Sequence, residues 1–171
     1  MAERAVIPPQ STNNRFARLS QTSLTDCEQQ FLLDWALAIL QLRHQPGMEL
    51  TSSNQTRRYL QLLLGPRQHE VFGCVYLDSQ HRVIEAVEMF QGTIDRSVVY
   101  PRVVVQKALS VNAAAVVFYH NHPSGVAEPS QEDRAMTKKL SDTLELVDIR
   151  VLDHFVVSTS GSVSFAESGW L

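Results

Sequence analysis

The sequence predicts a mixed α/β core preceded by two helices. Three observations carry that expectation. Apolar residues recur at helical spacing before residue 65. Two strand-like segments flank a tight turn over 70–90. An uninterrupted apolar run, Ala114 to Tyr119, then leads through a loop to a capped helix and a further strand.

Residues 1 to about 23 mix Pro8, Pro9, Gln10 and several Ser, Thr and Asn with few large apolar groups, so they are expected to form a mobile N-terminal arm. Thr25 and Glu28 have capping-box spacing, and Phe31, Trp35, Ala38, Ile39 and Leu42 follow at helical intervals to about His44. Pro46-Gly47 breaks that helix. Ser52 or Ser53 can cap a second one through Tyr59, Leu60, Leu63 and Leu64, which Gly65-Pro66 stops. The expected organisation is therefore an arm over 1–23, a helical segment over 24–65 and the main domain over 66–171.

Residues 70–77 read as a strand, Asp78-Ser79-Gln80 as a turn and 82–90 as the antiparallel partner, with Gly92 at the exit. Pro101 suits the first turn of a helix carrying Val105, Ala108 and Leu109. The run from Ala114 to Tyr119 has the composition of a central buried strand and ends directly at His120. A loop over 121–129 precedes a helix from Ser130 to about Leu146. Then come a strand over 149–158, a Ser160-Gly161 turn and a short segment from Val163 to Phe165.

Composition narrows the function classes. At 171 residues and 44% apolar content, one compact domain can bury a good core. A formal charge of -3 supplies no electrostatic footprint for sequence-independent binding to nucleic acid or anionic lipid. Cys27 and Cys74 show no pairing pattern, which fits a reducing cytoplasm and excludes a cysteine zinc site. No secretory signal or membrane-length apolar window is present, so a soluble cytoplasmic protein is expected.

The chemistry is concentrated in His120-Asn121-His122-Pro123-Ser124-Gly125, with Ser130 and Asp133 following. Side chains two apart on an extended backbone share a face, so His120 and His122 can converge on one ion while Asp133 arrives from the next element. Three ligands of the His/His/carboxylate kind leave the fourth tetrahedral position of zinc open to water, as hydrolytic sites require. Each residue also has an ordinary reading. The histidines can be loop residues satisfied by backbone groups, Asp133 can answer a helix dipole, and Ser130 with Asp133 can be a capping box. A ligand Asp is expected to cap poorly. Glu70, at a strand start, competes with Glu85 and Glu88 as a base, and His154 is either a supporting group or a core histidine.

The ordered set His120, His122, Ser130, Asp133 fits H-x-H-x(7)-S-x(2)-D, and Glu70-Val71-Phe72-Gly73 fits an upstream E-x-x-G strand. Together they resemble the JAMM motif of MPN-type metalloproteases. The further run His120 to Gly125, Pro129-Ser130 and Leu152-Asp153-His154 is similar to the bacterial RadC-like branch over roughly residues 45–171. The resemblance implies a cytidine-deaminase-like α/β architecture: a mixed sheet flanked by helices, here with extra N-terminal helices. It also implies Zn2+ on His120, His122 and Asp133 with water as fourth ligand, Glu70 as general acid/base, and Ser130 supporting the oxyanion. The implied substrate is a peptide or protein amide or isopeptide bond.

The branch carries an association with DNA repair and mobile elements, which leaves a noncatalytic DNA-associated accessory module as the alternative. Net charge does not support DNA as a partner. No membrane partner is expected, and a homo-oligomer is compatible with the sequence. The helices before residue 66 can be a remnant of a longer N-terminal region, a dimer contact or a cover for the core. A zinc deaminase would need His-x-Glu and paired cysteines, which the chain lacks. A zinc nuclease would ordinarily need additional carboxylates.

Overall fold

The computed structural model describes residues 24–42, 46–47, 49, 53–64, 67–92 and 99–171. The expected arm, His44, Ser52 and the Gly65-Pro66 stop lie outside the described residues. The chain divides into two units, residues 1–36 and 37–171. In the first, helix α1 (Asp26–Leu42) begins at the expected capping box: the Thr25 backbone N–H and hydroxyl donate to Glu28 at 2.8 and 2.7 Å. Phe31 and Trp35, one turn apart, stack with ring centroids 5.9 Å apart.

The second unit is built on a five-stranded mixed sheet in the order β2-β1-β3-β4-β5. Its strands are β1 (Val71–Leu77), β2 (Val83–Gln91), β3 (Ala115–Asn121), β4 (Arg150–Ser158) and β5 (Gly161–Ser164). β1 pairs antiparallel with both β2 and β3, β3 runs parallel to β4, and β4 pairs antiparallel with β5. The parallel pair needs a crossover, and α4 (Gln131–Glu145) supplies it. Every residue of β1 and β3 is buried, as expected for central strands covered on both faces. β3 extends two residues beyond the apolar run, so His120 sits inside the strand rather than after it.

Alternation along the strands sorts side chains into two apolar layers. Val71, Val75, Val117, Tyr119, Phe155 and Val157 face one layer, which Leu60 and Leu64 of helix α2 (Ser53–Leu64) complete. Of the three roles open to α2, it acts as a cover for the core. Ser53 is its first helical residue rather than its cap. Phe72, Cys74, Val116 and Phe118 face the other layer, closed by Val104 and Ala108 of α3 (Pro101–Ser110) and by Leu140 and Leu144 of α4. His120 and His154 project to this second side, toward the start of α4. Among the described residues, no helix is long and apolar enough to cross a membrane.

Gly73 has a packing explanation. A Cβ there would lie 2.1 Å from Cζ of Tyr119, whose ring is buried and covers that point of β1. Gly73→Ala is expected to destabilise the protein by about 1–3 kcal/mol, the usual cost of overpacking, as read by urea unfolding. A smaller apolar residue at position 119 should restore part of that loss.

Candidate metal centre

The site forms where the end of β3 meets the N-terminus of α4. Beyond β3 the chain stays extended long enough for the His122 N–H to reach the Val157 carbonyl at 2.8 Å, which keeps His122 on the same side as His120. The chain then turns back: Gly125, at φ +88°, donates its N–H to the His122 carbonyl at 3.1 Å. Helix α4 starts at Ser130, an N-cap in extended conformation, and Asp133 occupies the third helical position.

Folding brings His120, His122 and Asp133 together, with candidate ligand atoms all within 4.8 Å of one another. The two Nε2 atoms are 3.0 Å apart, His120 Nε2 lies 3.4 Å from Asp133 Oδ1, and His122 Nε2 lies 3.3 Å from Asp133 Oδ2. His122 Nδ1 is 2.8 Å from the Val126 carbonyl, which can only accept, so Nδ1 carries the proton and Nε2 of the neutral ring presents a lone pair to the cluster. Electron-rich atoms at such separations repel unless a cation, either a proton or a metal, sits among them. Two imidazoles and a carboxylate fit zinc in type and number.

Asp133 both caps α4 and faces the histidines. Its Oδ2 accepts from the Ser130 N–H at 2.8 Å and from the Ser130 hydroxyl at 2.7 Å, and its own N–H donates back to Ser130 Oγ at 3.1 Å. Capping engages Oδ2 and leaves Oδ1, which faces His120, clear of the capping bonds, so the cap by itself leaves one carboxylate oxygen for a ligand role. The Ser130 hydroxyl proton is engaged by Asp133, so an oxyanion contact from Ser130 requires that proton to be redirected. Burial by itself would raise the Asp133 pKa, but the His120 and His122 rings and the Ser130 hydroxyl outweigh it and hold the carboxyl well below the usual range.

Glu70 immediately precedes β1. The antiparallel register ends at Phe72↔His120, and extrapolating it by two residues would bring Glu70 opposite His122. The His122 pKa is raised chiefly by its hydrogen bond with Asp133, against the effect of burial; the Val126 carbonyl and the charges of Asp133 and Glu70 add to the rise. The rival carboxylates are engaged elsewhere: Glu85 pairs with Lys107 at 2.7 Å and Glu88 with Arg67 at 3.0 Å.

A metal held at His122 Nε2 would compete with a proton there, so metal affinity should weaken as pH falls through the raised His122 pKa. The expected slope is about tenfold per pH unit below that pKa, flattening above it. Chelator competition between about pH 5 and 8 reads this directly.

Sequence reasoning gave Asn121 no role and left His154 undecided. The buried Asn121 lies between the two histidines but faces the other way. Its side-chain carbonyl accepts from the Val71 N–H at 2.8 Å and its amide donates to the His69 carbonyl at 3.1 Å, gripping the backbone on both sides of Glu70. The fully buried His154 of β4, left undecided between a supporting role and a core role, has Nε2 only 2.8 Å from His120 Nδ1. Thr137 of α4 lies 2.6 Å from the other nitrogen of His154. The sequence signals for His154 were its place in a largely apolar strand and the Leu152-Asp153-His154 run.

Residues 50–170 match the family described as the RadC-like JAB domain, a span that takes in Glu70, His120, His122, Ser130 and Asp133. A UPF0758 protein of Vibrio cholerae is 54% identical over 140 residues, covering 82% of this chain and 88% of that protein. A UPF0758 protein of Aliivibrio salmonicida is 57% identical over 122 residues, or 71% of this chain and 54% of its own length. One of Vibrio parahaemolyticus is 58% identical over 125 residues, or 73% and 56%. The chain thus spans little more than half the length of the latter two relatives. With the mixed sheet, the flanking helices and the residue cluster in agreement, the chain belongs to the RadC-like JAB domain family.

Proposed function

We propose that the protein is a zinc-dependent hydrolase of peptide or isopeptide bonds. The observation that carries this reading is the convergence of His120, His122 and Asp133, with the bare Nε2 of His122 turned toward the cluster. Zinc held there supplies a Lewis acid for the scissile carbonyl and lowers the pKa of water to about 7. Glu70 accepts the proton that water gives up as its oxygen adds to the carbonyl carbon. It then returns that proton to the leaving amine as the C–N bond breaks, so the products are a carboxylic acid and an amine. Ser130, at the N-terminus of α4, supports the developing oxyanion once its hydroxyl turns from Asp133; the helix dipole there also favours negative charge.

The test is a cleavage screen of the purified chain against peptides and isopeptide-linked lysine substrates, with and without a chelator. Chelator-sensitive release of amine by the wild type is expected. Release that is indifferent to chelator, or absent across both bond classes, would contradict the reading.

A further inference from the structure

His120 and His154 do not merely touch; they belong to a closed circuit of polar contacts whose direction can be read from one end. Thr137 Oγ1 lies 2.6 Å from the Asp133 backbone carbonyl, one helical turn earlier. A carbonyl can only accept, so the single hydroxyl proton points at it. Thr137 Oγ1 can then only accept from His154 Nδ1, 2.6 Å away, which places the His154 proton on Nδ1. With Nδ1 protonated, Nε2 of a neutral His154 is bare and accepts from His120 Nδ1 at 2.8 Å. His120 must then carry its proton on Nδ1, leaving its Nε2 lone pair toward His122 and Asp133 Oδ1. The circuit closes on the residue where it began, because Asp133 supplies both the terminal carbonyl and a carboxylate of the cluster.

The surroundings of His154 keep it uncharged. It is fully buried among Phe72, Phe118 and Phe165, with ring centroids 5.7, 5.8 and 4.8 Å away. Enclosure by apolar rings, with no carboxylate among the described residues against either nitrogen, disfavours the cation. A neutral imidazole is an adaptable acceptor that would be ambiguous by itself, since either nitrogen could carry the proton. The Thr137 hydroxyl removes that ambiguity.

We propose that His154 and Thr137 form a tautomer lock, a pair of positioning residues that reserve His120 Nε2 for the metal. The lock rests on the zinc reading for its purpose, but its geometry can be tested without zinc. Losing a partner of a metal-bound histidine typically weakens metal affinity by about 10–100-fold. Thr137→Val keeps the shape of the side chain and removes the hydroxyl, so zinc affinity should fall within that range. Thr137→Ser restores the hydroxyl and should bind as the wild type does. His154→Phe should lose at least as much as Thr137→Val, and if it fails to fold, the Thr137 pair still decides the matter.

The experiment combines zinc titration against a competing chelator with nitrogen-15 imidazole spectra of the metal-free full chain at mildly alkaline pH. The expected spectra show His120 and His154 both protonated at Nδ1, with Thr137→Val scrambling that pattern. Wild-type zinc affinity in folded Thr137→Val, or a wild-type His120 protonated at Nε2, would overturn the lock. A wild type that binds no zinc would defeat the hydrolase reading instead, while the spectra would still decide the tautomers.

Discussion

Glu70→Gln is expected to bind zinc as tightly as the wild type and to hydrolyse amide bonds about 10²–10⁴-fold more slowly, the usual contribution of a positioned general acid/base. The substitution preserves size and removes the ability to take a proton. Asn121 holds the backbone on either side of residue 70, so the side chain should remain in place and only its chemistry should change. Glu85→Gln and Glu88→Gln are the informative controls. Each loses an ion pair, to Lys107 and Arg67 respectively, and should change activity little. Cleavage rates and metal content measured on the same preparations separate the alternatives. Full activity in Glu70→Gln, or a loss confined to Glu85→Gln or Glu88→Gln, would move the base elsewhere.

Asp133→Ala is expected to affect both metal binding and the helix cap, and the two effects can be read apart. The cluster loses its only carboxylate, so zinc affinity should fall by more than the roughly 10–100-fold typical of a supporting partner. Helix α4 also loses the acceptor for the Ser130 N–H and hydroxyl, which should cost about 0.5–2 kcal/mol of folding stability in metal-free protein. Asp133→Asn retains an acceptor for the cap without the negative charge. It should recover most of the stability and little of the zinc affinity. Equal zinc binding by Asp133→Ala and the wild type would remove Asp133 from the metal centre.

The parts of this site that were legible in the sequence are those fixed by short-range geometry. Two histidines separated by one residue share a side wherever the backbone is extended, and Ser130 with Asp133 at capping-box spacing opens a helix; both appear as expected. Apart from the family resemblance, residue patterns left Glu70 beside Glu85 and Glu88, because which of them comes near the histidines depends on how β1 and β2 register against β3. Register is a long-range property. His154 stands 34 residues from His120 and meets it only because α4 carries the chain over to a strand parallel to β3. Periodicity marks such a residue as buried without saying what it touches. The capping box at Asp133 was legible from its spacing, but that one carboxylate oxygen, Oδ1, stays clear of the capping bonds and faces His120 depends on how α4 meets β3.

The central claim is that His120, His122 and Asp133 hold one zinc ion through two imidazole nitrogens and a carboxylate oxygen. X-ray absorption at the zinc edge of the loaded wild type tests this most directly. The expected spectrum is a four-coordinate shell of nitrogen and oxygen at about 2.0–2.2 Å, with the outer scattering of imidazole rings and no sulfur. A zinc–sulfur distance near 2.3 Å, or a shell without imidazole, would place the metal elsewhere and contradict the account.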